Sequence, residues 1–223
     1  MILIHRLNEN RVGAIKRSPF ESFVNSVNFG FLQMKKFLQL LISGACLIFA
    51  GTVLATTVIP PSFDELVSRA EMIFQGSVTD VRSEWTGEGA QRHIMSYVTL
   101  KVEDAIKGNP GSTVTLRMLG GTVGSETMEV SDAPRFKVGD RDILFVENNG
   151  TQFVPLVGIM HGRFRVMKDA SGQDTVFTNE GSPLSDVSQL GKNEAAASAG
   201  RAISKTEFKH AIQARELAQG LQP

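Results

Sequence analysis

Apolar and polar residues alternate along several short segments between Met72 and Phe177, and this alternation constrains the fold more than any other feature of the chain. In the clearest case Val98, Leu100 and Val102 alternate with Tyr, Thr and Lys, as in a strand with one buried face. Glycine, proline and asparagine separate the segments every ten or so residues, and each favours a turn. The pattern is typical of a mainly β domain, a small antiparallel barrel or sandwich.

Two capping boxes predict helices on either side of the strands. Ser62 with Glu65 opens a short N-terminal helix that ends near Ala70, and Ser204 with Glu207 opens a C-terminal helix within residues 201–223. Between the strands and this last helix, residues 181–200 are rich in Ser, Ala and Gly, which predicts a linker. The apolar side of the C-terminal helix would consist of Phe208, Ala211, Ile212 and Ala218.

A second feature of the sequence predicts where the protein is located. Met34-Lys35-Lys36 precedes an apolar run, residues 37–55, that ends in Val53-Leu54-Ala55. Positive charge, an apolar centre and a small-x-small end are the three parts of a secretory signal peptide. Residues 34–55 are therefore predicted to be a signal peptide cut after Ala55, with a periplasmic or extracellular product. A retained membrane anchor is the alternative. The run reaches only about 28 Å, the bare minimum for a span, and this short length favours cleavage.

Residues 1–33 precede this signal and show no clean helical or strand periodicity. We expect translation to start at Met34, which makes residues 1–33 an upstream leader outside the working protein. Cys46 lacks the leucine three positions earlier that a lipidation motif requires, and apolar residues follow it. Cys46 is therefore expected to be a small apolar residue of the discarded segment.

Cleavage after Ala55 would leave 168 residues with 17 basic and 21 acidic side chains, a formal charge of −4. This length is enough for one domain with a real core. An acidic balance gives no electrostatic case for binding nucleic acid or anionic lipid. With Cys46 removed, thiolate metal sites are excluded as well.

The remaining chain carries no recognisable catalytic or cofactor motif. The glycines in residues 120–124 lack the spacing of a phosphate loop, so they are expected to let the chain turn. His93, His161 and His210 lie far apart in the sequence and form no local zinc motif. We expect no cofactor, no metal and no catalytic residue.

Trp85 is the one candidate contact residue for a partner. It is the only tryptophan and falls in a polar, glycine-bearing segment, residues 85–91, which predicts a loop. Aromatic side chains on loops commonly contact partners. The alternative is that the ring folds back as a lid on the end of the barrel.

The order of these motifs is similar to that of a group of exported, uncharacterised bacterial proteins, and it also resembles the netrin-like, TIMP-type OB barrel. The resemblance covers residues 62–166. It implies that residues 56–180 form a small antiparallel OB-like β-barrel, and it suggests metalloprotease inhibition. TIMP-type inhibitors use an N-terminal cysteine and disulfides, which residues 56–223 lack, so that inhibitory chemistry does not carry over. The segments that carry the resemblance are residues 62–78, 102–108, 120–124 and 136–140.

These features predict an exported, non-enzymatic binding domain, a partner or modulator of a secreted protease or of another envelope protein. Two alternatives stay open. A hydrolase would need a composite site that joins His93 or His161 with carboxylates across loops. A membrane-tethered structural domain would need residues 37–55 to stay attached.

Overall fold

The computed structural model describes residues 59–220, so the leader, the signal segment with Cys46 and the cleavage after Ala55 lie outside the described residues. Helix α1 (Phe63–Arg69) begins at the predicted capping box. The Glu65 amide donates to Ser62 Oγ at 3.3 Å, and the Ser62 amide donates to Glu65 Oε2 at 2.8 Å. Within residues 59–220 no helix is both long and apolar enough to cross a membrane.

Eight strands follow α1, and six of them form one antiparallel sheet in the order β3-β2-β1-β6-β7-β8. The other two form a separate hairpin, β4-β5. The mainly β class predicted from the alternation is therefore confirmed. The strands are β1 (Met72–Thr86), β2 (His93–Lys107), β3 (Thr113–Leu119), β4 (Gly121–Val123), β5 (Glu126–Met128), β6 (Arg141–Val146), β7 (Arg163–Lys168) and β8 (Asp174–Thr178).

The sheet is open, and the closed OB-like barrel is not confirmed. Strands β3 and β8 lie at opposite edges, and no pairing joins them within residues 59–220. Closure is prevented because other segments already take up the backbone of both edge strands. Leu119 in β3 donates its amide to Phe153 at 2.7 Å, and Val176 in β8 donates to Ile203 at 3.0 Å.

Strand β1 bends as it crosses the sheet. Its register against β2 shifts three times, and at the shift between Gln75 and Gly76 the extra residue, Glu103, lies in β2. A Cβ at Gly76 would lie 2.8 Å from the Lys101 carbonyl oxygen. Glycine therefore allows β2 to come close to β1 where the register between the two strands shifts.

The helices cover one face of the sheet. Phe164 of β7 lies between Phe145 and Phe208, with ring centroids 5.5 and 4.9 Å away. Phe208 belongs to helix α3 (Lys205–Gly220), which begins at the second predicted capping box. Of its predicted apolar side, Phe208 and Ile212 are buried, whereas Ala218 is exposed because it lies past the edge of the core.

The segment predicted as a linker, residues 181–200, packs into this same core. Leu184 and Ala197 are fully buried and Leu190 nearly so. The Leu184 amide donates to the Val176 carbonyl at 3.0 Å, which ties the segment to the edge of β8. The segment contains a 3-10 turn (Val187–Gln189) and helix α2 (Glu194–Ala197). Composition was misleading here, because three apolar side chains among small residues suffice to anchor it.

A second apolar cluster fills the opposite face, where loops rather than helices cover the sheet. Its largest member is Phe74, and Phe136 closes it from the loop that precedes β6. The buried members are Phe74, Val78, Val98, Leu100, Val114, Leu116, Met118, Phe136, Leu144, Val146, Val154 and Leu156.

Candidate functional site

Strand β1 is longer than the neighbour that should cover it. Strand β6 pairs with β1 only from Met72 to Ser77. The next residue, Val78, still donates to Asp140 at 2.8 Å and accepts from Gly139 at 2.9 Å. Beyond it, residues 79–86 have backbone bonds only to β2 among the residues that the structure describes. We call residues 79–86 the free edge.

The outer edges of the sheet are treated differently, because loops cover both. Asn149 accepts from the Arg117 amide at 3.1 Å and donates to the Thr115 carbonyl at 2.9 Å, so its side chain imitates a neighbouring strand for β3. On β8, the Thr178 amide donates to the Ser182 carbonyl at 2.8 Å. Proteins usually protect exposed strand edges, which makes the free edge the exception in this sheet.

Side chains on the free edge alternate in chemistry. Asp80, Arg82 and Glu84 are exposed and share one face, since side chains two apart in a strand point the same way. They present acid, base and acid in turn. The Arg82 guanidinium lies 5.2 Å from the centre of the Tyr97 ring on β2, which holds it at the surface of the sheet.

On its other face the free edge borders a cleft of about 550 Å³, which we call the sheet cleft. Its floor includes Val81 of β1, Val98 of β2 and Met118 of β3. The β4-β5 hairpin and residues 129–136 form its wall. The lining is mixed, with apolar side chains such as Val98 and Met118 beside polar ones such as Thr127 and Asp132, so side chains of a segment bound at the free edge would find pockets of both kinds there.

Gly121 brings the hairpin wall against the floor of the sheet cleft. Its φ is +135°, and an added Cβ would collide with the hydroxyls of Ser83 and Ser96. Those hydroxyls lie 2.8 Å apart, and Ser96 Oγ also donates to the Gly120 carbonyl at 2.6 Å. The glycine cluster therefore turns the chain, as predicted, and also permits a close crossing.

A buried arginine anchors residues 129–136, the loop part of this wall of the sheet cleft. Arg163 donates to the Arg135 carbonyl at 2.8 Å, to Asp140 at 2.8 Å and to Asp142 at 3.0 Å. Its guanidinium also lies 4.2 Å from the centre of the Phe136 ring. Sequence reasoning missed this cluster, although Asp142 at the start of an apolar strand was a signal for a buried partner.

Burial raises the pKa of Asp142, and the positive charge of Arg163 only partly offsets that effect. Asp142 is fully buried. Among residues 59–220 its Oδ1 has no hydrogen-bond partner, and neither has Nε of Arg163. The anchor is therefore a buried pair whose charges depend on each other.

Trp85 lies in β1, not in the predicted loop. It is paired with Ile94 of β2 near the outer end of the free edge. The Arg92 guanidinium lies 4.2 Å from its ring centre, and the ring is half-buried. The strand continues through the polar residues because β2 supplies a regular register up to His93. Its role as a partner contact stays a prediction.

The three histidines stand apart in the structure as well. His93 opens β2, where its Nδ1 lies 2.7 Å from the Gln91 carbonyl, and His210 is exposed on α3. His161 lines a second cleft of about 390 Å³ together with Glu180 and Glu194. Within residues 59–220 no group of three or more His, Cys, Asp or Glu side chains could hold a metal ion.

Fold and site together define a mainly β domain built on an open antiparallel sheet, with helices on one face and an uncovered strand edge beside a cleft. No protein-family model matches the chain, and the search of curated proteins finds no match either.

Proposed function

We propose that this protein is an exported binding domain that takes up an extended segment of another exported protein at the free edge. The observation that carries the proposal is that, among the residues that the structure describes, residues 79–86 have no backbone hydrogen bond on the side away from β2, in a sheet whose two outer edges are covered. An added strand gains main-chain hydrogen bonds along such an edge, and pockets for alternate side chains provide selectivity.

The charges of the free edge specify the chemistry of the bound segment. Opposite charges directly across two strands are favourable, and like charges are unfavourable. Facing Asp80, Arg82 and Glu84, the segment should present a basic, an acidic and a basic residue at alternate positions. Its intervening side chains should be apolar, because they would lie beside Val81, which lines the sheet cleft, and beside Trp85, which shares that face of β1.

Export is the second part of the proposal and is supported by the signal features of residues 34–55. A secreted protease or another envelope protein would then be the natural partner. The netrin-like resemblance supports a protein-binding role, although no inhibitory residue transfers. For the architecture we propose an incompletely closed OB-like barrel, supported by the length of β1 and by its three register shifts against β2.

A synthetic peptide tests the binding mode. The peptide has lysine, glutamate and lysine at alternate positions, with valines between them. Amide hydrogen exchange of the full chain is measured by mass spectrometry with and without this peptide. The amides of residues 79–86 are expected to become protected when the peptide is added. Arg82→Glu should abolish the protection, whereas Lys101→Glu, the same charge change on the exposed face of the doubly paired β2, should keep it. Protection elsewhere, or equal protection in both variants, would contradict the proposal.

A hydrolase is the second candidate, and one observation favours it. The cleft of about 390 Å³ joins His161 with Glu180 and Glu194, and Ser182 and Ser198 also line it. No hydrogen bond connects the His161 ring to any of these side chains among the described residues, so a paired nucleophile and base are not formed. Turnover of an ester or peptide panel that disappears in His161→Ala but not in His210→Ala would establish this candidate.

A further inference from the structure

The free edge is complementary to itself. Its exposed side chains run Asp80, Arg82, Glu84, so a second copy running antiparallel brings acids opposite bases in one register. We infer that two copies of this protein pair their free edges around a two-fold axis at Ser83 and join their sheets into one. This inference rests on the same free edge as the proposed function and names a second occupant that competes with the partner segment.

Geometry leaves few symmetric registers. Directly opposed residues of an antiparallel pair lie on the same face of the sheet. One residue must therefore oppose its own copy, and the two-fold axis lies midway between the two. The free edge extends from residue 79 to residue 86, and its middle lies between Arg82 and Ser83. An axis at either residue uses almost all of the free backbone.

Charge separates these two registers. An axis at Arg82 would oppose Arg82 to Arg82 of the partner subunit and Asp80 to Glu84 of the partner subunit, which places like charges across every exposed pair. An axis at Ser83 instead opposes Arg82 to Glu84 of the partner subunit, and symmetry supplies that ion pair twice. The second register is therefore selected.

The other face of the strand favours the same register. An axis at Ser83 opposes Val81 to Trp85 of the partner subunit, an apolar pair that symmetry again repeats. Moving the axis to Val81 would oppose Glu84 to Val78 of the partner subunit, but the backbone of Val78 is already bonded to Gly139 and Asp140. That register therefore runs into the end of the free edge.

Self-pairing has a functional consequence. The dimer covers the free edge, and covering an exposed strand edge protects it from unwanted pairing. Its interface is isologous, as in most homodimers. A partner segment must displace the second copy, so binding becomes weaker as the protein concentration rises. In the dimer the second copy occupies the free edge, so a partner segment cannot bind there.

Sedimentation velocity of the full chain over a range of concentrations tests the dimer. Arg82→Glu and Glu84→Arg each replace both ion pairs with repulsions and should raise the dimer dissociation constant at least about tenfold. Mixing these two variants restores opposite charges at all four positions, so a heterodimer should form. Lys101→Glu should sediment like the wild type.

A cysteine at the axis tests the register. In a Cys46→Ala background, Ser83→Cys should oxidise to a covalent dimer, because opposed Cα atoms of such strands lie within disulfide range. Tyr97→Cys, on β2, should not. A wild type that is monomeric at all concentrations, or a mixture that forms no heterodimer, would overturn the inference. Peptide protection of residues 79–86 in that monomer would leave the proposed function standing, and a dimer that never binds the peptide would remove only the proposed function.

Discussion

Arg163 donates a hydrogen bond of 3.0 Å to Asp142, and both side chains are almost completely removed from solvent. The pair joins β7 to β6 and holds the loop that forms one wall of the sheet cleft. A buried charge is tolerated only with its partner, because removal of one member leaves the other uncompensated in a medium of low dielectric constant.

Arg163→Met should therefore lower the free energy of unfolding by about 3–5 kcal/mol. Urea denaturation followed by circular dichroism measures this change. Arg135→Met is the matched control, because the Arg135–Glu129 ion pair is largely exposed and should cost less than about 1 kcal/mol. Adding Asp142→Asn to Arg163→Met should recover part of the loss, and a double variant no more stable than Arg163→Met would contradict the buried-pair account.

Acid sensitivity should depend on Asp174. Hydrogen bonds from the Arg141 guanidinium, at 2.9 and 3.0 Å, hold the pKa of Asp174 well below its usual range. The unfolded chain takes up this proton at a higher pH than the native protein does, so the contribution is complete above about pH 4 and is lost as the pH falls.

Asp174→Asn should therefore lower the melting temperature at pH 7 but have progressively less effect between about pH 4 and pH 2. Thermal melts across this range provide the measurement. Glu180→Gln, which neutralises an exposed acid a few residues away, serves as the control. An Asp174→Asn effect that stays constant down to pH 2 would show that the ion pair is not responsible.

Phe208 should be the residue through which α3 stabilises the domain. It is fully buried among Phe63, Phe145 and Phe164. Phe208→Ala leaves a large cavity and should cost about 3–5 kcal/mol. Leu217→Ala, on the exposed part of the same helix, should cost less than about 0.5 kcal/mol. Similar values in chemical denaturation would mean that α3 is not part of the core.

Gly121 should tolerate no side chain. Gly121→Ala would push a Cβ into the hydroxyls of Ser83 and Ser96 and also strain the backbone. We expect a loss of about 1–3 kcal/mol in thermal unfolding. Gly124→Ala is the matched control, since Gly124 also has a positive φ but faces open space. The triple change Gly121→Ala with Ser83→Ala and Ser96→Ala should relieve the collision with the two hydroxyls and leave the backbone strain and a tight contact of 3.1 Å with the Cβ of residue 83.

Sequence signals that involve only neighbouring residues predicted the structure correctly, because the interacting residues lie a few positions apart in the chain. The capping boxes at Ser62 and Ser204 involve residues three positions apart, so the starts of α1 and α3 follow directly from the sequence. Trp85 was misplaced because its polar neighbours suggest a loop, whereas the register with β2 keeps the strand going.

The residues of each segment are enough to specify its secondary structure: alternation specifies a strand with a buried face, and a capping box specifies where a helix begins. Tertiary structure alone decided the rest. It determined that residues 181–200 enter the core, that Arg163 meets Asp142, and that β6 ends before β1 does. Each depends on segments that meet only after the sheet has formed. The free edge exists because β1 is longer than β6, the strand beside it. Neither strand's own sequence shows that the two will be neighbours.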